Sequence, residues 1–401
     1  MLIEIILALI LGVLAGTFTG LAPGIHINLV ASILVASLGS LAGIPLIALG
    51  VFIVAMSITH TFLDFIPSIF LGAPEEDSFL SILPGHRMLQ EGRGYEAFVI
   101  TIYGSLTALI IILIFTPLYL LFLPSIYEFA KSAIPYILIL ISLYLIFREK
   151  DFVLSLIVFL LAGFLGFLTF NLPVKQPLMP LLSGMFGLSS LIISLKTKSK
   201  IPKQQIQPIK SIRLGKKEFF KSLAAVLISS PFCAFLPGIG SGHAATIGSE
   251  IIPQDTKGFL FLVGATNTII MGLSFITIFA INKARSGSAA AINEILQTIS
   301  TQNLIIILAT IVVSGILAAI LGIKISKFCA NNINKLNYTY ITLFTISILI
   351  IFNIIFSFSG GLGLLILITS TSLGIFAISS ESRRINLMGA LIIPAILYYL
   401  M

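Results

Sequence analysis

Stretches of about 20 consecutive apolar residues recur along nearly the whole of this 401-residue chain, and each is long enough to cross a hydrocarbon layer roughly 30 Å thick. Few folds tolerate that pattern. Charged residues make up 9% of the sequence and hydrophobic ones 58%, whereas a soluble domain carries about 25% charged residues. Lipid, not water, is therefore the main solvent. In hydrocarbon every backbone N–H and C=O must be satisfied internally, and the runs are too continuous for the alternating strands of an outer-membrane barrel. The expected fold class is all-α, a polytopic transmembrane helical bundle. The first run, Leu2 to Thr17, lacks the basic start of a secretory signal and carries Glu4 there instead, so it reads as a retained span.

The net charge of +8 is unevenly spread: nine basic residues fall between Lys196 and Lys221, against the single acid Glu218. A basic connector between apolar spans follows the positive-inside rule, which places it in the cytoplasm of a cell-membrane protein rather than on nucleic acid. It divides the chain into an N-terminal membrane repeat (1–195), a linker (196–218) and a C-terminal membrane repeat (219–401). Each half contains a Pro-Gly break, LAPGIHIN at 21–28 and FLPGIGSGHAAT at 235–246. Each then has a threonine-flanked polar residue, Thr59-His60-Thr61 in one half and Thr266-Asn267-Thr268 in the other. Further spans are expected near 97–123, 133–147, 152–169 and 178–195, and again near 303–322, 338–357, 361–380 and 385–400. Threading the charges outward from a cytoplasmic linker puts the loop with Arg87 and Arg93 inside, Lys283 and Arg285 outside, and both termini outside. The halves then form inverted-topology repeats, the arrangement in which ligand sites lie near the midplane where broken helices meet.

Proline lacks a donor and glycine tolerates unusual dihedrals, so Pro23-Gly24 and Pro237-Gly238 stop their helices. Freed backbone at membrane depth must face protein, water or ligand, and a new half-helix presents N–H groups that attract anions. The expected substrate contacts are Pro23, Gly24, His26, Asn28, Thr59 and His60 in the first half. In the second they are Pro237, Gly238, Gly240, Ser241, His243, Thr266 and Asn267. All four histidines, His26, His60, His86 and His243, lie in or beside these features. Asp64, in the apolar FLDFIPSIF, is an expensive charge and the first candidate for the coupling ion; Glu250 is the second. Glu75, Glu76 and Asp77 read as a solvated acidic run. Cys233 and Cys329 have no metal or disulfide spacing and read as packing residues. The absence of HExxH, of a Walker loop and of a nucleophile elbow argues against a metal site or an enzyme.

The segment SILPGHRMLQEGRGYEAF at 81–98 resembles the large membrane subunit of tripartite tricarboxylate transporters, in which a proline-containing segment leads to a Gly-Arg pair and an alanine that opens the next span. Pro84, Gly92, Arg93 and Ala97 take those places. The first break matches through Gly16, Gly20, Pro23 and Gly24, and the second through Pro237, Gly238 and Gly240. The resemblance implies a secondary transporter of small carboxylates, coupled to sodium or protons with no other cofactor. It also implies a small membrane subunit and an external substrate-binding protein as partners. The chain departs from the family at Ile25, His26, Ile27 and Asn28, where small residues usually follow the turn, and at Ile82 and Leu83, where Asp-Gly-Tyr usually precedes the proline. Two other readings stand beside a carboxylate permease: a translocase of a lipid phosphate such as a polyprenyl phosphate, and a non-transporting scaffold. A homo-oligomer is compatible with each.

Overall fold

The computed structural model describes residues 2–22, 27–41, 43–72, 82–197, 201–335, 338–357, 359 and 361–400; among them there are helices and turns and no strand. The first half contains α1 (Leu2–Leu21), α2 (Ile27–Ala36), α3 (Leu46–Leu71), α4 (Gly94–Ala130), α5 (Ile134–Phe147), α6 (Phe152–Asn171) and α7 (Leu178–Leu195). The second contains α8 (Lys216–Cys233), α9 (Ser241–Ile251), α10 (Thr256–Ile281), α11 (Gly287–Leu296), α12 (Thr301–Lys335), α13 (Tyr338–Ser357), α14 (Leu362–Ser379) and α15 (Arg384–Leu400). Among the described helices eight are long and apolar enough to cross a bilayer: α1, α3, α4, α6, α7, α10, α12 and α14.

Side-chain oxygens start several helices by accepting orphan amides: Asp151 Oδ1 from Leu154 N at 3.0 Å, Asp255 Oδ1 from Gly258 N at 2.7 Å, and Ser300 Oγ from Asn303 N at 3.2 Å. Two helices outrun the boundaries expected from sequence. α4 runs on to Ala130 through Pro117 and Pro124, as helices inside a membrane bundle can where neighbouring groups and local adjustment re-satisfy the freed carbonyls. α12 continues past residue 322 through Lys324 and Lys327; loss of apolar character marks the edge of the bilayer, not the end of the helix.

Two apolar cores organise the molecule. The larger gathers α1–α4 with α8–α12; the smaller gathers α5–α7 with α14 and α15, and takes in Cys233 at the end of α8 and Leu236 and Ile239 from the turn after it. Elements of like length recur in the same order in both halves: α3 and α10 each have 26 residues, and α4 and α12 have 37 and 35. The packing partners correspond too. α3 lies on α1 and α12, α10 on α8 and α4.

Glycines set the closest crossings, as in membrane bundles where small residues let backbones approach. A Cβ on Gly104 of α4 would lie 2.2 Å from Phe261 O, and one on Gly264 of α10 would lie 2.3 Å from Thr101 O. Each helix thus offers a glycine to the other. Gly264→Val is expected to cost about 3 kcal/mol, the upper range for overpacking, and to lower the detergent melting temperature; Gly39→Ala, with nothing within 4 Å of the added Cβ, should leave it unchanged.

The linker is fixed to the bundle over its described part. Gln204 accepts from Gly94 N at 2.8 Å and donates to Leu89 O at 3.0 Å, and Tyr103 Oη donates to Ile209 O at 3.0 Å. Beside it Glu96, at the start of α4, pairs with Arg93 at 2.8 Å and with Lys257, at the start of α10, at 2.7 Å.

Candidate functional site

The polar motifs that the sequence repeats are brought together by the crossing of α3 and α10. Thr61 and Thr268, the same position of the two motifs, touch at 3.3 Å through their hydroxyls. Asn267 donates from Nδ2 to Asp64 Oδ2 at 3.0 Å, and that nitrogen also lies 3.5 Å from Thr61 O. Asp64 is 1% exposed. A carboxylate so deep in an apolar bundle is costly, and such residues are retained where they serve ion or substrate pathways. In the same layer His60 Nδ1 is 3.0 Å from Thr19 Oγ1 of α1.

Next to this group lies a cavity of about 260 Å³, lined from the larger bundle by Asn28, Asn267 and Arg285, from the smaller by Phe170, Leu178 and Leu391, and by Gly238 and Gly240 of the turn after α8. It sits where the two bundles meet. The second Pro-Gly break forms part of its wall. α8 ends at Cys233, α9 begins at Ser241, and between them Gly238 has φ +73°, a left-handed conformation that glycine adopts without penalty. His243 Nδ1 accepts from Gly240 N at 3.3 Å and steadies the start of α9.

Arg285 is the one cationic side chain of the described cavity wall. Its Nε donates to Leu236 O at 3.3 Å and its Nη2 to Ile239 O, so the guanidinium satisfies carbonyls freed by the break. Its Nη1 has no partner among the described residues. Ser286 and Gly287, which open α11, line the same cavity, and Asn28 Oδ1 accepts from Ser288 N at 3.0 Å. Two helix N-termini, each with about half a positive charge, and one arginine therefore face a single space. Together they make that wall electropositive.

The structure sorts the sequence-derived candidates. Asn28, Gly238, Gly240 and Asn267 line the cavity, and Asp64 joins it through Asn267. Pro237, Ser241 and His243 build the turn and helix start behind the wall. Thr59 and His60 face α1, where a Cβ on Gly16 would meet Thr59 Cβ at 2.7 Å, and Thr266 Oγ1 donates to Val263 O of its own helix at 3.0 Å. Pro23, Gly24 and His26, like Glu75, Glu76 and Asp77, lie outside the described residues.

Glu250, the second coupling-ion candidate, does not line this cavity. It lies nine residues beyond Ser241 on α9, about 14 Å along a helix axis. Its Oε1 accepts from Arg383 at 3.0 Å and its Oε2 from Arg148; Glu149 pairs with Arg383 in the same cluster. Burial pushes the Glu250 carboxyl up, but the bonds from Arg148 and Arg383 outweigh it and hold the group below its ordinary value of 4.5. A depressed acid stabilises the folded state above its ordinary value, and that contribution is lost as pH falls through the folded value. Glu250→Gln is therefore expected to melt below the wild type at pH 7, with the gap closing as the pH is lowered beneath the ordinary carboxylate range; a gap that stays constant on acidification until the protein unfolds would be the contrary result.

Arg285, Ser286 and Gly287 escaped the sequence reading, which assigned Arg285 to an external loop. The available signal was local: the arginine directly precedes Ser286, whose Oγ caps α11 at Ala289 N. A cation beside a helix start of small residues is an anion-binding pattern.

A buried polar layer inside a bundle of long apolar helices, with a cavity where two packed units meet, describes a multi-pass membrane protein. The sequence profile of the tripartite tricarboxylate transporter TctA family matches residues 6–389. The chain belongs to that family, whose members are membrane components of a tripartite system with other subunits and a binding protein. It is also similar to an uncharacterised protein of Methanocaldococcus jannaschii, 33% identical over 416 aligned residues that cover 98% of this chain and 99% of that protein. No solved structure matches it.

Proposed function

We propose that the cavity is the substrate site of a secondary active transporter for a small organic anion such as a di- or tricarboxylate, coupled to sodium or protons. The observation that carries this reading is Arg285 in a cavity shared by two helix N-termini. A guanidinium forms forked bonds to carboxylates, and the volume of about 260 Å³ suits a small acid better than the chain of a lipid phosphate. Asp64 takes the coupling cation. Asn267, bonded to Asp64 on one side and exposed to the cavity on the other, links ion to substrate.

The two halves act as inverted repeats, with the linker cytoplasmic and both termini external. The matching helix lengths support this, as does the contact between the equivalent Thr61 and Thr268. So does α10: Gly94, next to the linker through Gln204, and Lys257 at the start of α10 are joined through Glu96, whereas the segment with Lys283 and Arg285 follows the other end of that 26-residue helix, whose two ends are about 39 Å apart. Alternating access is motion of one bundle against the other around the cavity. A small membrane subunit and an external binding protein deliver the substrate.

Uptake of labelled di- and tricarboxylates into vesicles under an imposed sodium or proton gradient tests the reading. Gradient-driven accumulation of one of these acids is expected, first with the binding protein present. Movement of a polyprenyl phosphate between leaflets, without acid uptake under either gradient, would replace this reading with the lipid one.

A further inference from the structure

A second cavity, of about 540 Å³, lies away from the anion site, between α4, α8 and the linker. Its walls are apolar: Leu106 and Ile110 from α4, Phe219 and Phe220 from α8, and Phe261 from α10. Ile110 is 60% exposed and Phe220 64%, so the wall continues onto the outer, lipid-facing surface of the bundle. Its rim is basic. Lys210, Arg213 and Lys216 all line it, and among the described residues none of the three is in a salt bridge. Tyr103 holds the roof in place by donating to Ile209 O at 3.0 Å and Ile212 O at 3.2 Å. Arg213 Nε donates to Lys210 O at 3.1 Å, which fixes two of the cations near one another. The neighbouring acid, Glu218, forms no salt bridge with them among the described residues; its carboxylate lies over Gly215.

We propose that this groove is a binding site for an anionic phospholipid of the surrounding bilayer, with the headgroup phosphate on Lys210, Arg213 and Lys216 and an acyl chain along Ile110 and Phe220. Charge and shape argue together. An apolar wall that opens to the membrane under three uncompensated cations matches a molecule with a negative head and a hydrocarbon tail, and basic pockets at the polar edge of transmembrane helices bind such lipids. A soluble phosphate uses only the rim. The lipid uses both, and by bridging linker and bundle it holds together the segment that joins the two halves.

Native mass spectrometry of the delipidated full-length protein, titrated with phosphatidylglycerol or phosphatidylcholine, tests the site. One phosphatidylglycerol is expected to stay bound per chain at concentrations that leave phosphatidylcholine unbound, and millimolar inorganic phosphate should not displace it. The triple variant K210Q/R213Q/K216Q should bind it about a hundredfold more weakly, about fivefold for each cation removed. K203Q/K217Q, which removes linker cations outside the groove, should bind as the wild type does. Equal retention of both lipids, displacement by phosphate, or equal losses in the two multiple variants would overturn the proposal. If the triple variant does not fold, K216Q alone carries the test through its expected fivefold loss, and unchanged binding there is the contrary result.

Discussion

Replacing Arg285 with glutamine is expected to weaken equilibrium binding of the transported acid about a hundredfold. Truncating one partner of a buried, hydrogen-bonded charge pair costs about 2–5 kcal/mol, and each 1.4 kcal/mol is tenfold. Arg285 also serves the turn after α8, through Leu236 O and Ile239 O, so part of any loss has a structural origin. Arg285→Lys separates the two roles. Lysine keeps the charge but lacks the planar fork, so it should recover part of the affinity without restoring the bonds to both carbonyls. A melting temperature equally lowered in both variants, with affinity lost only in the glutamine one, assigns the charge to substrate. Equal affinity in wild type and R285Q would remove arginine from the site.

Asp64→Asn is the second large effect. The side chain is 1% exposed and meets Asn267 Nδ2 at 3.0 Å, and the substitution keeps its size while removing the negative charge. The expected outcome is a protein that still folds and binds acid but whose affinity no longer responds to the coupling cation. Coupling between two ligands is typically about 1–3 kcal/mol, or about 5- to 150-fold in affinity. That dependence, measured as the ratio of acid affinities with and without sodium or between two pH values, should collapse to near unity in D64N. Because coupling is reciprocal, the acid should equally cease to alter cation affinity. A ratio in D64N equal to that of the wild type would place the coupling ion elsewhere.

The bilayer-scale features were legible because a single property dictates them: runs of apolar residues long enough for hydrocarbon become helices, and their order follows the chain. Boundaries failed where that property stops being decisive. Nothing in hydropathy says that α4 survives Pro124 or that α12 continues past Lys324, since helix continuity there depends on local hydrogen bonding and on polar surroundings. The paired motifs around His60 and Asn267 were visible as a repeat, and their meeting followed from the crossing of α3 and α10. Which neighbour each side chain faces was not visible. Within little more than one helical turn Thr59 and His60 look to α1 while Asp64 looks to α10, a choice of neighbour that only packing sets. Glu250, a coupling-ion candidate, follows the second break, but α9 carries it the length of the helix to Arg148 and Arg383, charges remote in sequence. Arg285 was hidden for the converse reason. It follows a span and resembles a loop cation until the turn at Gly238 folds back against it.

The most direct test of the central claim is the melting of purified wild-type protein and R285Q against di- and tricarboxylates up to tens of millimolar, with and without sodium and at two pH values. A ligand that binds only the folded state stabilises it by mass action. A rise in melting temperature with at least one acid in the wild type, absent from R285Q at the same concentration, is the expected result. An equal rise in both proteins, or none in the wild type with any acid tested, would contradict an anion site at Arg285.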